Sequence, residues 1–282
     1  REVMPFGDRS MGMKDLFKTI LVKPGAKCRL SEYDPEDISL CSGKEAARDK
    51  MAKDIKRLAE LQEVLYAEDK RSVLIILQAM DGGGKDGTIK HVMSGLNPQG
   101  CEVTSFKVPS AEESDHDFLW RIHKAVPRRG NIGIFNRSHY EDVLVVRVHN
   151  LVPTEVWKER YDQINRFEKL LSEMSVVILK FFLHISKEEQ KKRLQERLKD
   201  ETKNWKFSEL DLKERELWDD YQQAYEEALS KCSTQWAPWY VIPANHKWYR
   251  NWLLARTVVD TLESLKLSFP VARTDLSKIH IK

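Results

Sequence analysis

The strongest constraint in this chain is a short apolar run that ends in a cluster of glycines. Residues 72–79 read Ser-Val-Leu-Ile-Ile-Leu-Gln-Ala. The run is too short for a typical helix and apolar at nearly every position, the pattern of a parallel strand buried on both faces. Met80, Asp81, Gly82, Gly83, Gly84, Lys85, Asp86 and Gly87 follow at once, and a helix is expected over about 87–96. In that context, backbone N–H groups and a helix N-terminus cradle phosphate oxygens, and the lysine pairs with the group being transferred. The bland alternative is a glycine-rich turn with no ligand.

The loop departs from the usual G-x-x-x-x-G-K-[ST] pattern twice: Ala79 replaces the first glycine, and Asp86 replaces the hydroxyl residue. That hydroxyl normally ligates magnesium, so another oxygen must do so here. Asp81 lies inside the loop, where a bare carboxylate repels phosphate unless a metal or a proton stands between them. It is therefore assigned to Mg2+ binding or to activation of an acceptor phosphate, against the alternative of an aspartate bonding its own turn.

The rest of the chain alternates helix and strand. Ala47, Met51, Ile55, Leu58, Leu61 and Leu65 recur at steps of three and four, marking an amphipathic helix over 44–69 that should cover the sheet. Strands are expected at 102–108, 132–135, 176–183 and 239–243, and helices at 112–125, 154–174 and 248–265. This order predicts an α/β fold with a parallel five-stranded sheet and helices on both faces, whose ligands bind beyond the carboxyl ends of the strands. Residues 1–42, broken by prolines and glycines, read as an extended arm. Residues 43–282 form the main domain, within which 187–230 is rich in Lys, Arg, Glu and Asp. That stretch is either a solvated hairpin of two charged helices or a mobile lid.

The 47 basic and 44 acidic residues leave a net charge of +3, which argues against a nucleic-acid coat or a membrane-surface protein and confines any polyanion site to a local patch. No stretch approaches the ~20 apolar residues of a membrane span, and no apolar signal core opens the chain. Cys28, Cys41, Cys101 and Cys232 show neither a CxxC pair nor zinc spacing, so they read as reduced thiols and the expected location is cytoplasmic.

A second constellation follows the strand at 132–135: Asn136, Arg137, Ser138, His139, Tyr140, Glu141 and Asp142. An acidic residue commonly ends such a strand to hold magnesium; Asn136 offers a neutral oxygen instead. Arg137 should project beside Lys85, where a guanidinium neutralises charge on a transferring phosphoryl group, unless it forms only a surface pair with Glu141. Arg193 and Arg197 are one helical turn apart and form a phosphate clamp or an i,i+4 network with Glu189 and Glu196. His139 reads as structural, because phosphoryl transfer needs positioning more than proton abstraction. None of the scattered tryptophans is singled out for base stacking.

Four separated motifs in order carry a family resemblance: Gln78 to Gly87, Phe135 to Glu141, the pattern from Glu189 to Arg197, and Ala237 to Asn251 with its Lys-Trp-Tyr-Arg-Asn ending. Together, over about residues 30–270, they resemble polyphosphate kinase 2 enzymes. The resemblance implies a thymidylate-kinase-like, three-layer P-loop kinase fold with a helical lid. It implies a Mg2+ cofactor and reversible transfer of a terminal phosphoryl group from inorganic polyphosphate to AMP or ADP, so that nucleoside mono-, di- and triphosphates are partners. By motif, the catalytic set is Asp81, Lys85, Arg137, Arg193 and Arg197. The phosphate- and nucleotide-binding set is Gly82, Gly83, Gly84, Asp86, Gly87, Lys206 and Glu141, with Asp81 and Asn136 as metal ligands. Many members have Asp where this chain has Asn136, and the Asn-Arg-Ser-His-Tyr-Glu form resembles the branch that accepts both AMP and ADP. Two other readings are an ATP-dependent nucleoside monophosphate kinase and a non-catalytic polyphosphate or nucleotide sensor. An exposed apolar stripe on the 44–69 helix or the last helix would serve a homo-oligomer.

Overall fold

The computed structural model describes residues 19–272 together with Thr274 and Ile279; the first part of the expected arm, 1–18, lies outside the described residues. The chain opens its main body with α1 (Lys44–Glu68), then β1 (Ser72–Gln78), α2 (Lys85–Val92), β2 (Cys101–Ser105), α3 (Ala111–Ser114), α4 (Trp120–Lys124) and β3 (Ile132–Asn136). A 3-10 turn (His139–Val143) leads to α5 (Val145–Val148), α6 (Thr154–Glu173), β4 (Val176–His184) and α7 (Lys187–Lys199). The last elements are α8 (Glu209–Glu216), α9 (Trp218–Cys232), β5 (Trp239–Pro243) and α10 (Lys247–Ser264).

All five strands are parallel, in the order β2-β3-β1-β4-β5. Every residue of β1 is buried, as is all of β4 except Val177, which is why both read as unbroken apolar runs instead of alternating ones. β1 is the central strand. The chain leaves it toward β2, returns through β3, and crosses to β4 and β5. The loop after β1 therefore opens into the crevice where the strand order reverses, the place such sheets present ligands.

The arm seals one sheet edge. Leu21 bridges antiparallel to Tyr240 and the Val22 N–H donates to the Trp239 carbonyl at 2.9 Å, while the Cys28 and Leu30 N–H groups donate to Ser230 Oγ and Glu226 Oε1 of α9. The edge at β5 is thus covered, a common protection against strand addition.

Several elements differ from the sequence reading: α2 ends at Val92 instead of about residue 96, and β2 ends at Ser105 instead of residue 108. The helix expected over 112–125 is split. Ser110 and Glu113 form a capping box for α3, and the Asp117 side chain accepts from the Leu119 N–H at 2.9 Å, turning the chain before α4. Helix α1 packs along α10, tied by Arg57 to Glu263 and by Arg256 to Asp54, a partner its periodicity did not name. Finally, 187–230 holds three helices instead of two, and α9 is part of the core. It buries Trp218, Tyr221, Tyr225, Leu229 and Cys232 and packs on α6. Only α7, α8 and their connection project over the crevice. No helix among the described residues is long and apolar enough to cross a membrane, and all four cysteines are free thiols.

Candidate active site

The loop after β1 is shaped by its glycines. Gly84 has φ +95°, which L side chains rarely adopt, and a Cβ there would sit 2.0 Å from Arg250 Nη1; a Cβ on Gly83 would sit 2.5 Å from that of Ala79. The chain then enters α2 at Lys85, whose ammonium donates to the Ala79 carbonyl at 2.9 Å. Lys85 thus arches over the loop with its charge at the N-terminal end of a helix, where an anion is favoured by two sources of positive potential. Burial pushes its pKa below the ordinary lysine value, and the neighbouring Asp81 carboxylate opposes that shift.

At the end of β3, Arg137 sits in the left-handed region at φ +64°, an uncommon conformation for a side-chain-bearing residue outside turns and functional sites. Its N–H still donates to the Leu77 carbonyl of β1 at 3.1 Å. The turn swings its guanidinium across the gap so that Nη2 meets Asp81 Oδ1 at 3.2 Å. Arg137 therefore pairs with the loop aspartate and not with Glu141, as the surface-pair alternative had it. Burial works against the Arg137 charge, but Glu141 and Asp81 outweigh it and hold its pKa up. Burial raises the Glu141 carboxyl, against the pull of Arg137 and Lys85. Asp81, Lys85, Arg137 and Glu141 form one coupled set.

The Asn136 amide donates to Asp86 Oδ1 at 2.9 Å, and Lys206 Nζ stands 3.5 Å from Asp86 Oδ2. Burial alone would raise the Asp86 carboxyl, but the Asn136 hydrogen bond and the Lys206 charge bring it below the ordinary value. Asp86 thereby links the loop, the end of β3 and the projecting segment.

The two arginines of α7 do different things. Arg193 is buried, and all five of its N–H donors are taken: Nε by Glu189 Oε1, Nη1 by the carbonyls of Gly82 and Gly83, and Nη2 by those of Ala244 and Asn245. With its charge paired and no donor left, it pins the loop. The expected comb of two arginines facing one phosphate is not formed. Arg197 lines the cleft and pairs with Asp211 Oδ2 of α8 at 2.9 Å. Gln190, three residues before Arg193, donates to the Asp81 carbonyl at 2.8 Å. The first two turns of α7 are thus fixed to the loop, and any lid motion has to occur beyond Arg193.

Asp81, Lys85, Asp86, Asn136, Arg137 and Arg197 are among the residues lining an open cleft of about 720 Å³ whose walls carry nine basic and three acidic side chains. Against a whole-chain charge of +3, this is the local basic patch that a polyanion requires. Arg250, Lys107, Lys203 and Lys247 line it and were not assigned from sequence. Arg250 had a visible signal: it is a lone cation in the apolar run from Trp248 to Leu254. The surface lysines had none. Trp205 also lines the cleft, 76% exposed, whereas Trp239 and Trp252 are core residues.

The model of the polyphosphate kinase 2 family matches residues 41–270. The chain belongs to that family. It is 54% identical over 266 residues to the AMP/ADP-polyphosphate phosphotransferase of Meiothermus ruber, covering 94% of this chain and 100% of that protein. It is 45% identical over 270 residues to the ADP-polyphosphate phosphotransferase of Rhodopseudomonas palustris, covering 92% of this chain and 93% of the relative. The crystal structure of polyphosphate kinase 2 from Arthrobacter aurescens TC1 superposes with a TM-score of 0.89 at 44% identity, over 96% of this chain and 95% of that one. The five parallel strands, the phosphate loop and the helices over the crevice are those of a P-loop kinase.

Proposed function

We propose that this enzyme transfers the terminal phosphoryl group of inorganic polyphosphate to AMP and to ADP, and runs the same reaction backwards. The observation that carries the reading is the cleft, whose nine basic side chains surround a phosphate loop and far exceed what its three acidic ones neutralise. That excess suits a chain of phosphates. The printed activities of relatives matched over nearly their full length support the choice of donor and acceptors.

In this reading the loop N–H groups, Lys85 and the N-terminus of α2 hold the donor phosphate, with Gly82, Gly83, Gly84 and Gly87 allowing close backbone approach. Arg137 places its guanidinium where charge builds during transfer, and its pair with Asp81 aims it there before substrate arrives. Asp81 orients the acceptor phosphate. Arg197 and Lys206 extend the cationic wall along the donor chain, and the segment that carries them excludes water from the transferring group. Arg193 and Gln190 keep the loop in its binding shape.

The residues present suit Mg2+, which usually binds through one or two protein oxygens plus substrate phosphates and water. Asp81 has one carboxylate oxygen outside its pair with Arg137, and Asn136 turns its amide nitrogen to Asp86, which leaves its oxygen for a cation. Asp81 and Asn136 would hold the ion, which supplies charge neutralisation between phosphates. Free thiols suit the reducing cytoplasm proposed as the location.

The test supplies the protein with AMP and Mg2+ and either long-chain polyphosphate or ATP, and follows nucleotides by ion-exchange chromatography. The reading expects ADP and then ATP to accumulate with polyphosphate. Turnover with ATP and none with polyphosphate would identify an ordinary monophosphate kinase, and binding without turnover a sensor.

A further inference from the structure

Arg250 and Arg193 approach the phosphate loop from two elements, α10 and α7, and both are nearly inaccessible, at 2% and 6% exposure. Their hydrogen bonding is different in kind. Arg193 is paired with the Glu189 carboxylate and has every donor occupied. Arg250 gives Nε and one Nη2 proton to Asn251 Oδ1 and one Nη1 proton to the Gly83 carbonyl. Of its five N–H groups, one on Nη1 and one on Nη2 have no acceptor among the described residues. No carboxylate pairs with it there. The guanidinium lies against the loop from the cleft side: Nη1 is 2.0 Å from where a Gly84 Cβ would be, and Nη2 is 3.7 Å from that of Gly87.

A buried, fixed cation without a counter-ion is costly to a folded chain, and proteins normally pair such a group or let it lose its proton. We infer that Arg250 is a phosphate ligand, giving its two unused N–H groups to oxygens of the phosphoryl group seated in the loop, which is the counter-ion its site lacks. This rests on the proposal that the loop binds a phosphate chain. The planar fork suits phosphate oxygens, and the absence of a Gly84 side chain is what lets the guanidinium reach the loop. Burial, together with the nearby Arg193 charge, pushes the Arg250 pKa down to about 9, as expected of a cation that waits for an anion.

A purely structural strut makes the opposite prediction about what is lost on substitution. The experiment measures tripolyphosphate and ADP binding by calorimetry, and the thermal midpoint of the ligand-free protein, for the full chain and for Arg250→Met and Arg250→Lys. Truncation should weaken whichever phosphate ligand the loop holds by about 10- to 100-fold, the range for hydrogen bonds to charged groups. The ligand-free midpoint should stay level or rise, because an unpaired buried charge has been removed. Arg250→Lys, which keeps the charge and loses the fork, should fall between wild type and Arg250→Met.

Affinity within about threefold of wild type in a folded variant would overturn the inference, whether or not the midpoint had dropped. If Arg250→Met fails to fold, the Arg250→Lys affinity decides by the same criterion. Wild type that binds ADP but not tripolyphosphate, with ADP affinity lost in the variants, would leave Arg250 as a ligand and remove the polyphosphate reading. Wild type that binds neither would overturn both.

Discussion

Lys180 lies in the middle of β4 with no exposed surface, and its ammonium meets Glu168 Oε2 at 2.6 Å, the Tyr140 hydroxyl at 2.7 Å and the Cys232 carbonyl at 2.7 Å. Glu168 is equally buried, and its other oxygen accepts from Tyr140 at 2.8 Å and lies 3.1 Å from His139 Nε2. Replacing Lys180 with Met therefore leaves a carboxylate in the core without its cation. Breaking one side of such a pair costs about 3–5 kcal/mol, and at about 2–4 °C per kcal/mol the midpoint should fall by ~10 °C. The double variant Lys180→Met/Glu168→Leu removes both charges, so it should be destabilised by clearly less than the sum of the two single changes. Urea unfolding of wild type, both singles and the double gives the coupling directly. A Lys180→Met cost below about 1 kcal/mol, or a double variant that simply adds, would refute the claim that this pair is energetically coupled.

The same substitution carries a pH signature. Burial alone would raise the Glu168 carboxyl, but Lys180 and His139 outweigh it and hold its pKa below the usual carboxylate value. In wild type that depressed pKa contributes stability above the ordinary carboxylate range, and the contribution fades as pH falls through the folded value. Without Lys180 the folded pKa moves above the unfolded one and the carboxyl can take up a proton. The penalty of Lys180→Met should therefore be smaller at pH 5 than at pH 8.

Two further outcomes are expected. Lys85→Ala should lower kcat by at least ~100-fold with little change in urea midpoint, since the side chain gives up only its bond to the Ala79 carbonyl; retained turnover would remove Lys85 from the catalytic set. His184 is 7% exposed, and burial pushes its pKa down to about 4, so between about pH 6.5 and 4 the unfolded chain binds a proton the folded one refuses and stability falls as the solution is acidified. His184→Gln should then lose about 2 kcal/mol less than wild type between pH 7 and 5. Asp54 and Asp142, both raised to about 6 by burial, act in the opposite sense but equally in both proteins; parallel stability profiles would refute the assignment.

What the sequence made legible was whatever depends on local pattern. β5 lies where its five-residue apolar run placed it, and β1, β3 and β4 agree to within one residue at their ends, because a strand buried on both faces has to be apolar throughout. Periodicity found α1 but not its partner. An amphipathic stripe fits a helix as well as a sheet, and only the tertiary structure shows that α1, with Leu58, Leu61 and Leu65 buried, packs along α10. Charge density misled at 218–230, where acidic residues alternate around Trp218, Tyr221 and Tyr225 and conceal a buried face. In the site, Lys85 and Asp81 were visible because a loop is contiguous. Arg193, Gln190 and Arg250 hold or touch that loop from about 110 and 167 residues away, and no local pattern records such a distance.

The two departures of the loop from the usual phosphate-binding pattern now have physical consequences. With Ala79 in place of glycine, its methyl faces Gly83, where a Cβ would sit 2.5 Å away, so the loop's second glycine becomes obligatory. With Asp86 in place of a hydroxyl, the loop gains a negative charge that a phosphate chain would repel, yet Asn136 and Lys206 face it from β3 and the projecting segment. The Lys206 contact can form only when that segment lies over the loop. Asp86 thus ties the loop to that segment through a pair whose carboxylate side chain is 68% exposed, where solvent screening keeps an ion pair weak. Arg193 and Gln190 anchor the start of the same segment to the loop carbonyls. The start of the segment is therefore held to the loop by hydrogen bonds to its carbonyls, and its far end by a screened ion pair that contributes little.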